Sequence, residues 1–557
     1  MLEYDKLLSA KGKHTRLQVD EIDEATPLIG ENFEGYRSCG NGQVEPEESA
    51  AETTDSPQSG LVGMIVVLLV GVFVSQADGS LVLAAYSKVS SEFGDFENGS
   101  WLFSAYVLAM CVTQPLYGKL SDIYGRKTCL QISYMLFALG TACTGLGQSM
   151  RQVIAARAVQ GAGGAGMVCM VSILLTDLVP LNEVALYRSY VNIAQTVGRS
   201  CGGAVGGYIV ETLGWRWAFL CQCPVTFIAI GLVAWKLPVS SKSGGTTEAA
   251  ESKLKRIDWV GAVTLSLTIL SALIIVDMGG QKYPFSHPII ISAMVTFAVA
   301  GVIFLVTEDR YAKEPIFPLH LLSRYVVVTS YAVLFLQNFA QTALMMIIPI
   351  YFQVTKKAST AVAGTYLIPA VFGNTIGGLL TGFFIKRTGR YKLPTVVGAL
   401  ASGIAFTSLL IVWRGNTTVA QSLLIFPGGF ATGVAHSAVF IGLTSGVNPE
   451  EVAIAGSGLY LSGNVGAVAG STVSSVVYQW TLQRGLWKAV QGLPHAREIV
   501  RKAMSDLNYI QRVDDLMRQR LVPAFVRAVH NVFFVGLICA AISFCIAIIT
   551  RERRLKN

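Results

Sequence analysis

Fourteen mainly apolar runs recur between Leu61 and Thr550, and that pattern leaves few folds open to the chain. Inside a bilayer every backbone N–H and C=O must be satisfied by the segment itself or by a closed barrel, so runs of this kind fold as helices. About 20 residues at ~1.5 Å each cross the hydrocarbon core. The runs cover 61–85, 101–116, 129–146, 153–175, 189–210, 217–235, 259–276, 289–306, 326–351, 361–385, 395–412, 419–443, 452–477 and 532–550. The expected fold is therefore all-α, a polytopic membrane protein with 14 transmembrane helices. Only 14% of residues are charged, against roughly a quarter in a soluble domain. The formal charge of +8 therefore calls for a reading other than nucleic-acid binding.

An even number of spans puts both termini on one side. With the termini inside, 25 Lys and Arg fall in cytosolic tails and loops and 7 in short outside loops, so the positive-inside rule places the termini in the cytosol. Segment 480–527 carries nine Lys and Arg yet falls outside. Long loops escape the rule, and the alternation over Ala496 to Arg520 predicts an amphipathic helix at the membrane surface. The sequons at Asn98 and Asn416 both fall in outside loops, where glycans are added.

Residues 1–60 hold 13 Asp and Glu against 5 Lys and Arg with no apolar period, and read as a disordered cytosolic tail. The first apolar run begins at Leu61, so a cleavable signal is not expected. Within the tail, Glu24-Ala-Thr-Pro-Leu28-Ile29 and Glu3-Tyr-Asp-Lys-Leu7-Leu8 have the form of acidic dileucine signals, in which two aliphatic side chains fill a pocket of a sorting adaptor. Chance occurrence in an acidic tail accounts for them equally well. The basic excess belongs to the membrane body, where cytosolic Lys and Arg fix orientation and meet anionic lipid headgroups.

Gly118-Lys-Leu-Ser-Asp122-Ile-Tyr-Gly125-Arg126-Lys127 follows span two, and a loop with paired Gly382 and Gly389 follows span ten at an offset of 264 residues. Gly202 and Gly206 of span five map at the same offset onto Gly466 and Gly470 of span thirteen. The shared offset implies duplication. Expected divisions are a tail (1–60), a six-helix half (61–236), a linker with two inserted spans (237–325), a second half (326–550) and a basic tail (551–557). Parallel halves of this kind place a substrate cavity at their interface and work by rocking.

These motifs resemble the major facilitator superfamily. Gly118 to Lys127 looks like its signature loop, and Arg157-Ala-Val-Gln160-Gly161 in span four is similar to its proton-linked motif. Gly198, Gly202, Gly203, Gly206 and Gly207 resemble the antiporter motif of span five, and Gly214 to Phe219 the turn that follows. At Gly203 the family motif has proline, whose kink this helix lacks. Fourteen spans resemble the fungal drug:proton antiporter branch with its vacuolar basic amino acid carriers. The resemblance implies a proton-coupled antiporter of small organic solutes, with basic amino acids moved into the vacuole. Plasma-membrane efflux of drugs or toxins is the alternative, and a non-transporting nutrient receptor on the same fold is the alternative of another class. The implied partners are a small-molecule substrate, a proton and membrane lipid.

Charges inside the spans are the sharper site candidates, since each costs ~2.5–3.5 kcal/mol at mid-bilayer on insertion scales. Asp78 in span one is expected to bind a cationic substrate or a proton, or else to pair with an Arg. Arg157, beside Gln160, carries the proton-linked role the resemblance implies. Arg199 reads equally as an inward anchor or as the partner of Asp78. His436 in span twelve could relay a proton or be a hydrogen-bonded structural residue. Gln337, Asn338, Gln341 and Asn374 have helical spacings compatible with a cavity wall or with interhelical hydrogen bonds. Asp122 is read as a gate latch, near a helix N-terminus or paired with Arg126. Lys386, at its repeat position, is read as a positive anchor, and Asp177 and Asp277 as solvated groups at span ends. No phosphate-binding Gly-Lys-Ser/Thr loop, Cys-x-x-Cys pair or His-Glu-x-x-His occurs, so neither an enzyme nor a cofactor is expected.

Overall fold

The computed structural model describes residues 57–95, 98–99, 101–236, 256, 258–279, 283–312, 314–492, 495–505 and 507–552. These belong to one unit, Asp55–Asn557. The dileucine segments, with Glu24, Leu28 and Ile29, lie outside the described residues.

Each of the fourteen runs forms a helix. The first half holds α1 (Pro57–Phe93), α2 (Trp101–Tyr124), α3 (Arg126–Leu146), α4 (Met150–Leu178), α5 (Leu181–Thr212) and α6 (Gln222–Lys236). Then come α7 (Trp259–Met278) and α8 (Pro288–Arg310). The second half holds α9 (Tyr325–Lys356), α10 (Ile368–Thr388), α11 (Lys392–Val412), α12 (Phe426–Thr444), α13 (Val452–Ala489) and α14 (Asp515–Ile549). The short helix Trp215–Leu220 leads into α6. Among the described residues, twelve segments are long and apolar enough to cross a membrane. The other two, α2 and α5, have 24 and 32 residues and are also long enough at ~1.5 Å per residue. Their lower hydropathy matches their polar faces inside the bundle.

The duplication reappears in the packing. Glycines on α5 bring it onto α1: a Cβ on Gly202 would sit 2.1 Å from the Ala77 carbonyl oxygen, and one on Gly206 2.7 Å from Leu81. At the repeat positions, a Cβ on Gly466 would lie 2.3 Å from the Phe335 carbonyl oxygen of α9, and one on Gly470 2.5 Å from that of Phe339. Small residues let the two backbones approach, and in lipid that packing is what holds helices together. Gly198 approaches the Phe73 carbonyl oxygen in the same way, whereas Gly203 faces open space and Gly207 makes only ordinary contact. The loop glycines Gly125 and Gly389 both adopt positive φ (88° and 65°), which explains their recurrence at the two tight turns.

Helix α7 seals against α2 and α13, where Leu108, Cys111, Ile269 and Leu273 form one apolar cluster. Its partner α8 packs mainly on α7. Glu314, just after α8, reaches Lys119 of the signature loop (3.0 Å) and Arg256 (2.8 Å). Burial raises the pKa of Glu314, but these two hydrogen bonds outweigh it and hold the carboxyl below its usual range.

The segment 480–527 differs from the expected loop. It is mostly helical: α13 continues to Ala489 and α14 begins at Asp515, with Ala496–Ser505 and Leu507–Arg512 between them. The amphipathic helix does not lay its apolar face on lipid. Val500, Ala503 and Ile510 are buried in a cluster with Leu486, Leu521 and Phe525, because the extensions of α13 and α14 offer a nearer apolar surface.

Candidate functional site

Along helix α5 the polar residues Asn192, Gln195, Thr196 and Arg199 recur at three- and four-residue steps, so one face carries them all. That face meets Asn338 and Gln341 of α9, Asn374 of α10 and His436 of α12 around a cavity of ≈ 120 Å³ between the two halves. Asn192 donates to Asn374 across the interface. Thr432 donates to Gln341 (3.0 Å), and a His436 ring nitrogen lies 3.2 Å from Asn338 Oδ1. Met110, Val168, Leu334 and Met345 supply apolar wall. Gln337 is buried but does not line this cavity, so of the α9 amides it belongs to the packing.

Asp78 and Arg157 sit apart from the cavity wall, each with no solvent exposure, and Arg157 Nη1 donates to Asp78 Oδ2 at 2.6 Å. Gln222 donates to the other carboxylate oxygen at 3.1 Å. Arg157 also donates to Gln160 (2.6 Å) and to the Leu102 carbonyl (3.0 Å), and its guanidinium carbon lies 4.5 Å from the Tyr106 ring centroid. This arrangement decides between the alternatives for Arg199: the partner of Asp78 is Arg157. Arg199 is instead exposed to the cavity.

Contacts between the halves gather toward the helix ends next to the signature loop. Glu183 of α5 pairs with Lys386 of α10 at 2.9 Å, so Lys386 is a link between the halves rather than a solitary anchor. Ser189 donates to the Gly378 carbonyl at 2.5 Å. Arg188 donates to Tyr460 (3.0 Å) and to the His436 carbonyl (3.0 Å), and Ser172 also bonds Tyr460. Gln114 accepts from Asn464 at 2.8 Å. A Cβ on Gly118 would lie 3.0 Å from the Ala453 carbonyl oxygen, and one on Gly382 2.8 Å from Leu186 Cα. The two halves are therefore closed against each other at the end that carries the signature loop.

In the signature loop Asp122 pairs with Arg126 at 2.5 Å, the second of the two placements expected for it. Arg126 also pairs with Asp177 (3.0 Å), and Lys127 donates to the Ala234 carbonyl (2.8 Å). Asp177 is thus an ion-pair partner, not simply a solvated end group. Asp277 likewise accepts from Ser104 at 2.9 Å. Both partners sit on neighbouring helices, Arg126 on α3 beside α4 and Ser104 on α2 beside α7. Asn98 lies in a turn, bonded through its amide to Asp95 (3.0 Å), and Asn416 is exposed in the irregular segment between α11 and Val419.

The turn after α5 staples the end of the bundle opposite the signature loop. Gly214 adopts φ 91°, and the next two residues, Trp215 and Arg216, both donate to Glu92, the indole at 2.5 Å. The Arg216 hydrogen bond first, then that of Trp215, holds the Glu92 carboxyl below its usual range. A depressed carboxylate stabilises the fold above its unfolded pKa, and that contribution disappears as pH falls through the lowered value. Glu92→Gln should therefore lower the thermal midpoint at neutral pH, with the gap to wild type closing below the ordinary carboxylate range. A scan of melting temperature against pH checks this.

A model of the major facilitator superfamily matches residues 68–471, most of the chain. The chain belongs to the major facilitator superfamily. Among its relatives, a vacuolar membrane amino acid uptake transporter of Schizosaccharomyces pombe is 29% identical over 503 residues, covering 89% of this chain and 86% of that protein. A multidrug resistance protein of the same yeast is 29% identical over 484 residues, covering 86% and 91%. Among solved structures, a proton:xylose symporter superposes with TM-score 0.55 at 16% identity, covering 90% of this chain and 98% of that one. The human organic anion transporter MFSD10 gives 0.55 at 15%, covering 88% and 100%. As a superfamily member the chain is a transporter, and its fold is the one shared with these structures.

Sequence reasoning missed several residues that build the site. Arg188, Asn192, Gln195 and Thr196 share one helical face with Arg199, a stripe readable in the sequence beside the glycines of the same helix. Tyr460 carried no such signal.

Proposed function

We propose that this superfamily member is a proton-coupled antiporter that moves basic amino acids from the cytosol into the vacuole. The observation that carries this reading is a polar cavity between two halves that meet at the signature-loop end, together with a fully buried Asp78–Arg157 pair within the first half. The likeness to a vacuolar amino acid uptake transporter supports the substrate class and the compartment.

In this reading the cavity amides and hydroxyls take the substrate, and Asp78 takes the proton. Protonating Asp78 removes the charge that Arg157 neutralises. The pair then loosens α1 against α4, while the links Glu183–Lys386 and Arg188–Tyr460 break as the cytosolic side opens. Entry of substrate from the cytosol and release of a proton to it alternate with the closed state.

The test is uptake of labelled lysine, arginine and histidine into vacuolar vesicles, with and without ATP and a proton ionophore. Ionophore-sensitive uptake that is lost on deletion is expected; equal uptake by wild-type and deletion vesicles would refute the proposal. The apolar wall of Met110, Leu334 and Met345, and the multidrug resistance relative, favour drug efflux as the second reading. Drug sensitivity on deletion with unchanged amino acid uptake would select it. For the compartment, Leu28→Ala with Ile29→Ala in a fluorescent fusion should shift the protein from the vacuolar rim to the cell surface. An unchanged rim would remove the dileucine segment from sorting.

A further inference from the structure

The charge balance of the central cavity is lopsided. Among the described residues that line it, none is Asp or Glu, and Arg199 is the one permanently charged side chain. Arg199 lines the cavity and, among the described residues, makes no hydrogen bond or ion pair. Asp78, a carboxylate that could otherwise have compensated it, is committed at 2.6 Å to Arg157 and has no exposure. Nearby Arg188 is also engaged, by Tyr460 and the His436 carbonyl, with its guanidinium carbon 3.8 Å from the Phe440 ring centroid. A guanidinium in a cavity within hydrocarbon is costly without a counter-charge. Its planar fork matches a carboxylate with two parallel hydrogen bonds.

We propose that Arg199 is the substrate-binding residue that holds a carboxylate, so that this transporter requires a carboxylate on what it carries. This rests on the amino acid reading above and sharpens it. The positive end of a basic amino acid is then received by neutral oxygens, those of Gln195, Asn338, Gln341 and Asn374 among them, rather than by an acidic side chain. The corresponding amines, in which the carboxylate is lost, would leave Arg199 unmatched and be rejected, because an unpaired charge or polar group in the site costs more than a missing contact.

The test uses full-length protein reconstituted in liposomes, with labelled lysine uptake competed by lysine, lysine methyl ester and cadaverine. Wild type should prefer lysine over the other two by roughly tenfold or more. Arg199→Gln should erase that preference, raising the KM for lysine, while Arg199→Lys should keep part of it because charge remains but the fork is lost. Thermal stabilisation of the purified protein by matched pairs (arginine and agmatine, lysine and its methyl ester, benzoate and benzyl alcohol) provides a second readout. If amino acids are not transported, Arg199-dependent stabilisation by benzoate over benzyl alcohol would uphold carboxylate recognition while ending the amino acid reading. Equal competition by lysine and cadaverine in wild type, an unchanged preference in Arg199→Gln, or no advantage of any acid over its uncharged or decarboxylated counterpart would overturn the proposal.

Discussion

Replacing Asp78 by asparagine is expected to reduce proton-driven uptake to background, a loss of ~100-fold or more if the carboxylate is the group that takes the proton. The side chain is nearly isosteric, so packing alone predicts little change. What changes is charge: Arg157 would be left buried without its counter-ion, and breaking such a pair costs about 3–5 kcal/mol. The single variant should therefore show reduced folded yield as well as lost transport. The double variant Asp78→Asn with Arg157→Gln removes both charges and keeps polar groups for Gln222 and the Leu102 carbonyl. It should recover yield, measured as a monodisperse chromatographic peak, while transport stays absent. Recovery of ionophore-sensitive uptake in the double variant would remove both residues from proton coupling.

A second large effect is expected where the two halves close at the signature-loop end. Gly382→Leu would place a Cβ 2.6 Å from Ser189 Oγ and 2.8 Å from Leu186 Cα, and the backbone atom cannot move aside without parting the halves. Overpacking of this kind costs about 1–3 kcal/mol, enough to shift a two-state equilibrium by roughly 5- to 150-fold toward the state open to the cytosol. The clash lies between the halves rather than within either, so the protein should fold. In a cysteine-free background, Thr196→Cys on the cavity wall should become more reactive to a membrane-impermeant thiol reagent applied from the cytosolic side, and uptake should fall. Unchanged reactivity would mean that the Gly382 contact does not control closure.

Much of the fold was legible because glycine positions at close crossings admit few substitutes. The 264-residue offset linked Gly202 with Gly466 before any contact was known, and both prove to press onto a neighbouring helix, α1 and α9 respectively. Helix lengths were less legible. Hydropathy ends span thirteen at Val477 and starts span fourteen at Val532, because Arg484, Lys488 and Arg518 interrupt the apolar pattern, yet the helices continue. Those charges interrupt a hydropathy pattern without breaking a helix, and Arg518 is satisfied by the Val354 and Thr355 carbonyls.

At the site, the sequence showed which charges lie within spans but not which of them meet. Asp78 and Arg157 are 79 residues apart and share no local pattern, so only the packing of α1 on α4 reveals the pair. The same pairing reassigns Arg199. A residue read as anchor or partner becomes, among the described residues, the one permanent charge lining a cavity whose α5 face repeats at helical spacing. Lys386 changes meaning for a similar reason: its partner Glu183 lies in the other half of the molecule, beyond the reach of a loop-by-loop reading.

Proton exchange is the central claim, and it is tested most directly in liposomes that contain the full-length protein, an acidic interior and a trapped pH-sensitive dye. Addition of lysine outside should produce lysine uptake together with alkalinisation of the lumen, both absent with Asp78→Asn. Lysine uptake without proton efflux, or uptake unchanged by collapse of the pH gradient, would contradict it.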